Sequence, residues 1–371
     1  MNVVTKNKLT QLLQNSRMNL VIAAAVAIVV VAAGYFLVRS YAGTPFASVE
    51  ADQGTLSGNA SLISDSTASG GKAVQFNAPA QTGGGGGTTP TTCPLPDYPS
   101  PSCTGTPVGT KFTKTVNGNY TASTNGEVID SWHITGDVVI TASNVQIKNT
   151  QIDGAIANEG PTGGEYKNAS FTVTDTTVGT TTCSTDGQPS INGHDFTATR
   201  VHLQGHADGI DVVGNNITVQ DSYIHPCYLP PSVVGSDGYH TDSIQDQCNT
   251  NITPYCAHIT LTHTTFDSNV ANGNSAANLG SQADGLSLAD VTLRDNLFLG
   301  GGYTTAIWWD KNGDNANWIV ANNAWVNKAW AYGPVDTEST CAHQTWSGNK
   351  IVTVDGNFKL TSTVSPQDCV N

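Results

Sequence analysis

Three short phrases in this sequence set aspartates where chemistry could be done. They are HADGID (206–211), HTDSIQ (240–245) and QADGLSL (282–288). In the first two, a histidine stands two residues before Asp208 or Asp242; in the third, Gln282 takes the histidine's place before Asp284. Carboxylates brought side by side repel, which raises some of their pKa values or draws in a cation. A raised and an ordinary carboxylate together make the acid/base pair of glycoside hydrolysis, and clustered carboxylate oxygens make a Ca²⁺ site. Asp208 and Asp242, assisted by His206 and His240, are therefore the candidate catalytic groups. Asp208, Asp242 and Asp284 are the candidate Ca²⁺ ligands, and Tyr239 with His240 is an alternative proton-exchanging pair. Aspartates also cap turns, a reading that weighs most for Asp284, and His225 beside Pro226 and Cys227 is a weaker catalytic candidate.

These phrases fall on strands. If Ile210, Ile244, Leu286 and Ile307 point into a core, then Asp211, Gln245, Ser287 and Trp308 point out from the same sheet. Asp208, Asp242 and Asp284 share parity with the inward residues and become exposed only if the chain bends at Gly209, Ser243 and Gly285. The expected substrate contacts are Asp211, Tyr239, Gln245 and Trp308, with the indole offering an apolar face to a sugar ring.

The strands belong to a repeat of the form apolar-x-apolar-x-(Asn/Asp)-x-x-apolar. Its central position is Ile147, Val173, Ala198, Val219, Leu261, Leu293 and Val320, and its Asn/Asp position is Asn149, Asp175, Asp221, Asp295 and Asn322, with Arg200 and His263 as departures. Recurrence roughly every 25 residues means a solenoid, because one unit cannot bury its apolar face alone. Alternation, abundant Thr and Val, and the lack of helical periodicity make each unit a coil of short strands. The expected fold is an all-β parallel β-helix, the Asn/Asp column satisfying backbone groups at each turn. The long interval between Val219 and Leu261 reads as one coil carrying disulfide-tied insertions.

Charge is sparse and acidic, 15 Lys+Arg against 29 Asp+Glu for a net charge of -14, which argues against a nucleic-acid partner. Residues 20–38 form an apolar run close to the ~20 residues that cross a bilayer, preceded by Lys6, Lys8 and Arg17. The positive-inside rule puts residues 1–19 in the cytoplasm and the remainder outside, with a cleaved signal peptide as the alternative. All eight cysteines follow this run and none forms a CxxC pair, so disulfides in an exported domain are expected, Cys93–Cys103 and Cys341–Cys369 by proximity. Residues 39–81 form a small polar block, and 82–92 a Gly/Thr spacer ahead of the β-helix domain at 93–371. Residues 49–76 resemble the opening strands of carbohydrate-binding β-sandwich modules but are too short for a whole one.

From about residue 107 to 365 the coils resemble the pectin-lyase-like superfamily of right-handed parallel β-helices, whose members are mostly carbohydrate-active enzymes. HADGID is similar to the Asn-Thr-Asp-Gly-Ile-Asp phrase of polygalacturonases, which places Asp208 at a catalytic carboxylate position. Asp242 matches the second acid of their paired aspartates, while Thr241 stands at the first; Asp284 occupies the place of their catalytic histidine, and their Arg-x-Lys clamp has no counterpart. The resemblance implies a polysaccharide partner and hydrolysis. The alternatives are a Ca²⁺-dependent lyase and a non-catalytic surface binder or adhesin.

Overall fold

The computed structural model describes residues 60–64, 72–76, 92–234, 238–249, 251–253, 256–279, 288–307, 317–336, 341 and 344–369. The chain divides into two compact units, Met1–Gly85 and Gly86–Asn371, the division falling inside the glycine spacer. In the first unit, Ala60–Ser64 pairs antiparallel with Lys72–Phe76. The apolar run at 20–38 lies outside the described residues, among which no helix is long and apolar enough to cross a membrane.

The second unit has the arrangement of a parallel β-helix. Each coil visits three sheets in turn: a first sheet of nine described strands, a second of eleven and a third of nine. The single described helix is the four-residue Pro231–Val234. Register follows the sequence repeat residue for residue, Ile147 stacking on Val173, Ala198, Val219, Leu261, Leu293 and Val320 along the first sheet. Val219 pairs directly with Leu261, so the long interval is one coil with insertions.

The core is three such inward columns facing one another. The second sheet contributes Ile152, Val178, Leu203, Ile224, Phe266, Phe298 and Trp325, all essentially inaccessible to solvent. Its aromatic members stack with their rings 5.3 Å (Phe266–Phe298) and 5.5 Å (Phe298–Trp325) apart. The third sheet contributes Ile156, Ile191, Ile210 and Ile244.

The corner between the first and second sheets explains the Asn/Asp position differently from the sequence reading. Asn149, Asp175, Arg200, Asp221, His263, Asp295 and Asn322 all sit in the left-handed region, with φ from 46° to 59°. Asn and Asp tolerate that conformation better than other side chains, and this is what the repeat selects. Arg200 and His263 enter the column where aspartates flank them: the Arg200 Nε–H donates to Asp175 Oδ1 at 2.7 Å, and His263 Nδ1 lies 2.7 Å from Asp221 Oδ1. Backbone groups are instead satisfied by the next, inward residue. Asn323 Nδ2 donates to the Leu293 carbonyl and its Oδ1 accepts from the Asn296 N–H, and Asn296 and Asn349 repeat the pattern.

All eight cysteines are paired. Cys93–Cys103 and Cys341–Cys369 join the neighbours expected from proximity, while Cys183–Cys227 and Cys248–Cys256 tie loops on either side of the third sheet.

Candidate functional site

The strand Asp208–Val212 of the third sheet buries Ile210 and Val212 and turns Asp211 outward, in register with Gln245. Gly209 is required by a close approach, since a Cβ there would lie 2.2 Å from the Ser243 carbonyl oxygen. This packing draws the start of the strand beneath the next coil and seals Asp208.

Both oxygens of Asp208 are satisfied. Oδ1 accepts from the Asp242 backbone N–H at 2.8 Å, and Oδ2 accepts from the Tyr239 hydroxyl at 2.8 Å and from Gln245 Nε2 at 2.9 Å. The same Gln245 nitrogen donates to Asp211 Oδ1 at 2.9 Å, tying the two carboxylates together. Asp242 accepts from Asn274 Nδ2 on both of its oxygens at 3.1 Å. Asp208 and Asp242 are 0 % and 1 % exposed, whereas Asp211 is partly open and its second oxygen accepts no hydrogen bond among the described residues. The bend at Gly209 and Ser243 therefore does not carry the two aspartates to the surface, as their candidacy as an exposed pair required, because the following coil and Tyr239 close over them.

Burial dominates the titration here. It pushes Asp208 up to about 7, with the charge of Asp242 adding to it against the hydrogen bonds that favour the ion. Asp211 rises to about 7 through burial, then the charges of Asp208 and Glu159. Burial also lifts Asp242 to about 7, while burial and the Asp208 charge raise Tyr239, making its hydroxyl a proton donor rather than a base.

Two walls flank this face. On one side the Tyr239 hydroxyl also lies 3.2 Å from the Gly187 carbonyl, and Cys183–Cys227 staples that loop to the insertion after His225. On the other, Glu159 accepts from Asn192 Nδ2 at 2.8 Å and from Asn249 Nδ2, beside the Cys248–Cys256 bridge.

The structure thus brings together Asp208, Asp211, Tyr239, Asp242 and Gln245. It does not bring His206 to them: that ring is buried, lowered in pKa chiefly by burial, and has Asp186 and Asp137 as its neighbouring charges. His240 is exposed, one residue before the buried Thr241. Asp284 and Trp308 lie outside the described residues. The positions the repeat assigned to Leu286 and Trp308 on this sheet are taken by Ala277 and Ala306, since Gln245 pairs with Asn278 and Asn278 with Ala306. His225 lies on the second sheet instead, where its Nδ1 is 3.2 Å from Asp267 Oδ2.

Glu159, Asn192, Asn274 and Asn278 escaped the sequence reading. Asn192 alone had a signal, because aligning Ile191 with Ile210 puts it in the column of Asp211. Glu159 meets Asn249 ninety residues away and had none.

Ca²⁺ does not fit Asp208 and Asp242 as they stand, because their oxygens already face N–H and O–H donors, the polarity opposite to a cation. Asp246 clusters with Cys248 and Cys256, but those two sulfurs are bonded to each other. Two surface hollows lie elsewhere, one of about 520 Å³ around Phe171, Thr197 and Asn216 and one of about 350 Å³ beside Asp221 and His263. Neither touches the third-sheet carboxylates, whose face is distinguished by its hydrogen bonding and titration. No family model, curated protein or solved structure matches this chain.

Proposed function

We propose that this chain is an extracytoplasmic parallel β-helix that hydrolyses a polysaccharide on its third sheet, with Asp211 as the general acid/base. The observation that carries this reading is the Gln245 amide bridging Asp208 and Asp211. Oxygens of the two carboxylates can be no farther apart than two 2.9 Å bonds laid end to end. That proximity lets Asp208, itself sealed from the surface, act on Asp211 as a neighbouring charge rather than as a second carboxylate facing the sugar. Asp211 has the open oxygen and the raised pKa of a proton donor, and Asp208 supplies a neighbouring charge that keeps it raised.

Likeness to the pectin-lyase-like superfamily rests on the HADGID phrase and the coil repeat, and favours a carbohydrate substrate. Four disulfides favour an oxidising, exported location, with residues 20–38 as the membrane anchor. A lyase is less well supported, since no described strand of the third sheet carries a Lys or Arg to serve as its base. One observation favours a second reading as a non-catalytic binder: Asp208 and Asp242 are sealed and fully hydrogen-bonded.

Reducing ends and unsaturated uronates released from a panel of neutral, acidic and amino polysaccharides separate these readings. The expected outcome is new reducing ends without unsaturation, cut roughly 100-fold or more by Asp211→Asn. Binding without release would establish the binder instead, and Ca²⁺-dependent unsaturation would establish the lyase.

A further inference from the structure

The third sheet differs from its neighbours in charge. None of its nine described strands carries a lysine or arginine, whereas the first sheet holds Lys148 and Arg294 and the second Lys114 and Lys350. Glu159, Asp208, Asp211 and Asp242 gather on or under its outer face.

Its hydrogen-bonding capacity is as one-sided as its charge. Asn192, Asp211, Gln245 and Asn278 stand in register along the outward column. Each amide nitrogen donates to a carboxylate: Asn192 to Glu159, Gln245 to Asp208 and Asp211 with both of its N–H groups, and Asn278 to Asp242. The buried groups of this row left without a partner are acceptors. Among the described residues the side-chain oxygens of Asn192 and Asn278 are buried and accept no hydrogen bond, and Asp211, one strand from Asn192 and two from Asn278, keeps one open oxygen. A buried acceptor without a donor is costly, so the row is incomplete until donors reach it. An ammonium group has three donors, no acceptor and the complementary charge. A uronate has the wrong charge and brings more acceptors.

We propose that this face binds a polysaccharide bearing free amino groups, the ammonium of a hexosamine unit seated against Asp211, between Asn192 and Gln245 of the neighbouring strands. The inference rests on the reading of the third sheet as a polysaccharide-handling face and names the class of sugar it selects. Asp211, raised by burial and by Asp208, regains ionisation when such a cation arrives.

The test is binding rather than turnover, measured by fluorescence anisotropy on the full-length chain with labelled chitosan oligosaccharides, their N-acetylated counterparts and oligogalacturonates. Tighter binding of the free amine, by roughly tenfold or more, is expected, weakening with salt and losing its preference in Asp211→Asn. Glu159→Gln, which lies at the edge of the face, is expected to reduce the preference by a smaller factor, and unchanged circular dichroism identifies folded variants. Equal binding of the acetylated sugar, tighter binding of the oligogalacturonate, or a preference untouched in both folded variants would overturn the proposal while leaving the polysaccharide reading in place. If no member of the three classes binds, the amino-sugar proposal falls, and the polysaccharide reading is decided by the release panel that includes neutral polymers.

Discussion

Asp246 shows what burial does to a carboxylate on this fold. Its Oδ1 accepts from the Cys248 N–H at 3.0 Å, but its Oδ2 is buried with no partner among the described residues, and burial pushes its pKa up to about 7. A carboxyl whose pKa is higher in the folded than in the unfolded chain binds its proton more tightly when folded. The native state is therefore favoured at acid pH, and stability falls as pH rises from near the unfolded value of ~4 through about 7. Asp246→Asn keeps the oxygen that caps Cys248 and removes the charge. Denaturant melts should show it more stable than wild type by about 1–3 kcal/mol at alkaline pH, with no such gain at acid pH. An equal effect on both sides of neutrality would show that the charge is not responsible. Asp208, Asp211 and Asp242 shift in the same direction, so the site couples its acid–base state to the stability of the coils that hold it.

Within a coil, adjacent asparagines do different jobs. Asn322 is exposed and holds the left-handed corner at φ 57°, whereas Asn323 is buried, donates to the Leu293 carbonyl and accepts from the Asn296 N–H. Removing the buried side chain strands backbone groups that water cannot reach. Asn323→Ala should cost about 2–4 kcal/mol in unfolding free energy, against about 1 kcal/mol for Asn322→Ala, which only strains a turn. Similar losses at the two positions would contradict this division of labour. The same corner geometry explains why Thr150, Thr176, Ser222 and Thr264 appear in the inner position on earlier coils: each is fully buried, with a hydroxyl that bonds a local carbonyl.

Across the β-helix, each coil's strands pair only with those of its two neighbours, and the 97–106 segment and the Glu159–Asn249 contact add bridges over several coils, so stability is spread mainly along one axis. Phe298 stacks between Phe266 and Trp325, and Trp325 stacks on Trp346 at 5.9 Å. Phe298→Ala should cost about 3–5 kcal/mol, and hydrogen exchange should rise first in the coils from 256 to 351 while those from 120 to 210 stay protected. Uniform loss of protection would mean that the solenoid unfolds as one cooperative unit. The stapled loops at Cys183–Cys227 and Cys248–Cys256 then matter beyond their own coils, since they fix the walls on both sides of the third sheet.

The sequence by itself determined the solenoid, the register of its first sheet and the side faced by residues in the middle of its strands. Side chains alternate strictly along a strand, and one unpaired apolar face per unit compels stacking. Pairings from Ile147 to Val320 and the outward pair Asp211–Gln245 were legible for that reason. Only the tertiary structure decided which carboxylates are open. At the corner where a strand begins, parity stops governing exposure, and what covers Asp208 is Tyr239, 31 residues away on an insertion without a repeat. The third-coil position also shifted from Leu286 to Ala277, because loops of unequal length let a similar phrase recur out of register. Glu159 and the unpaired acceptors of Asn192 and Asn278 come from contacts between coils, and local pattern carries no record of such contacts.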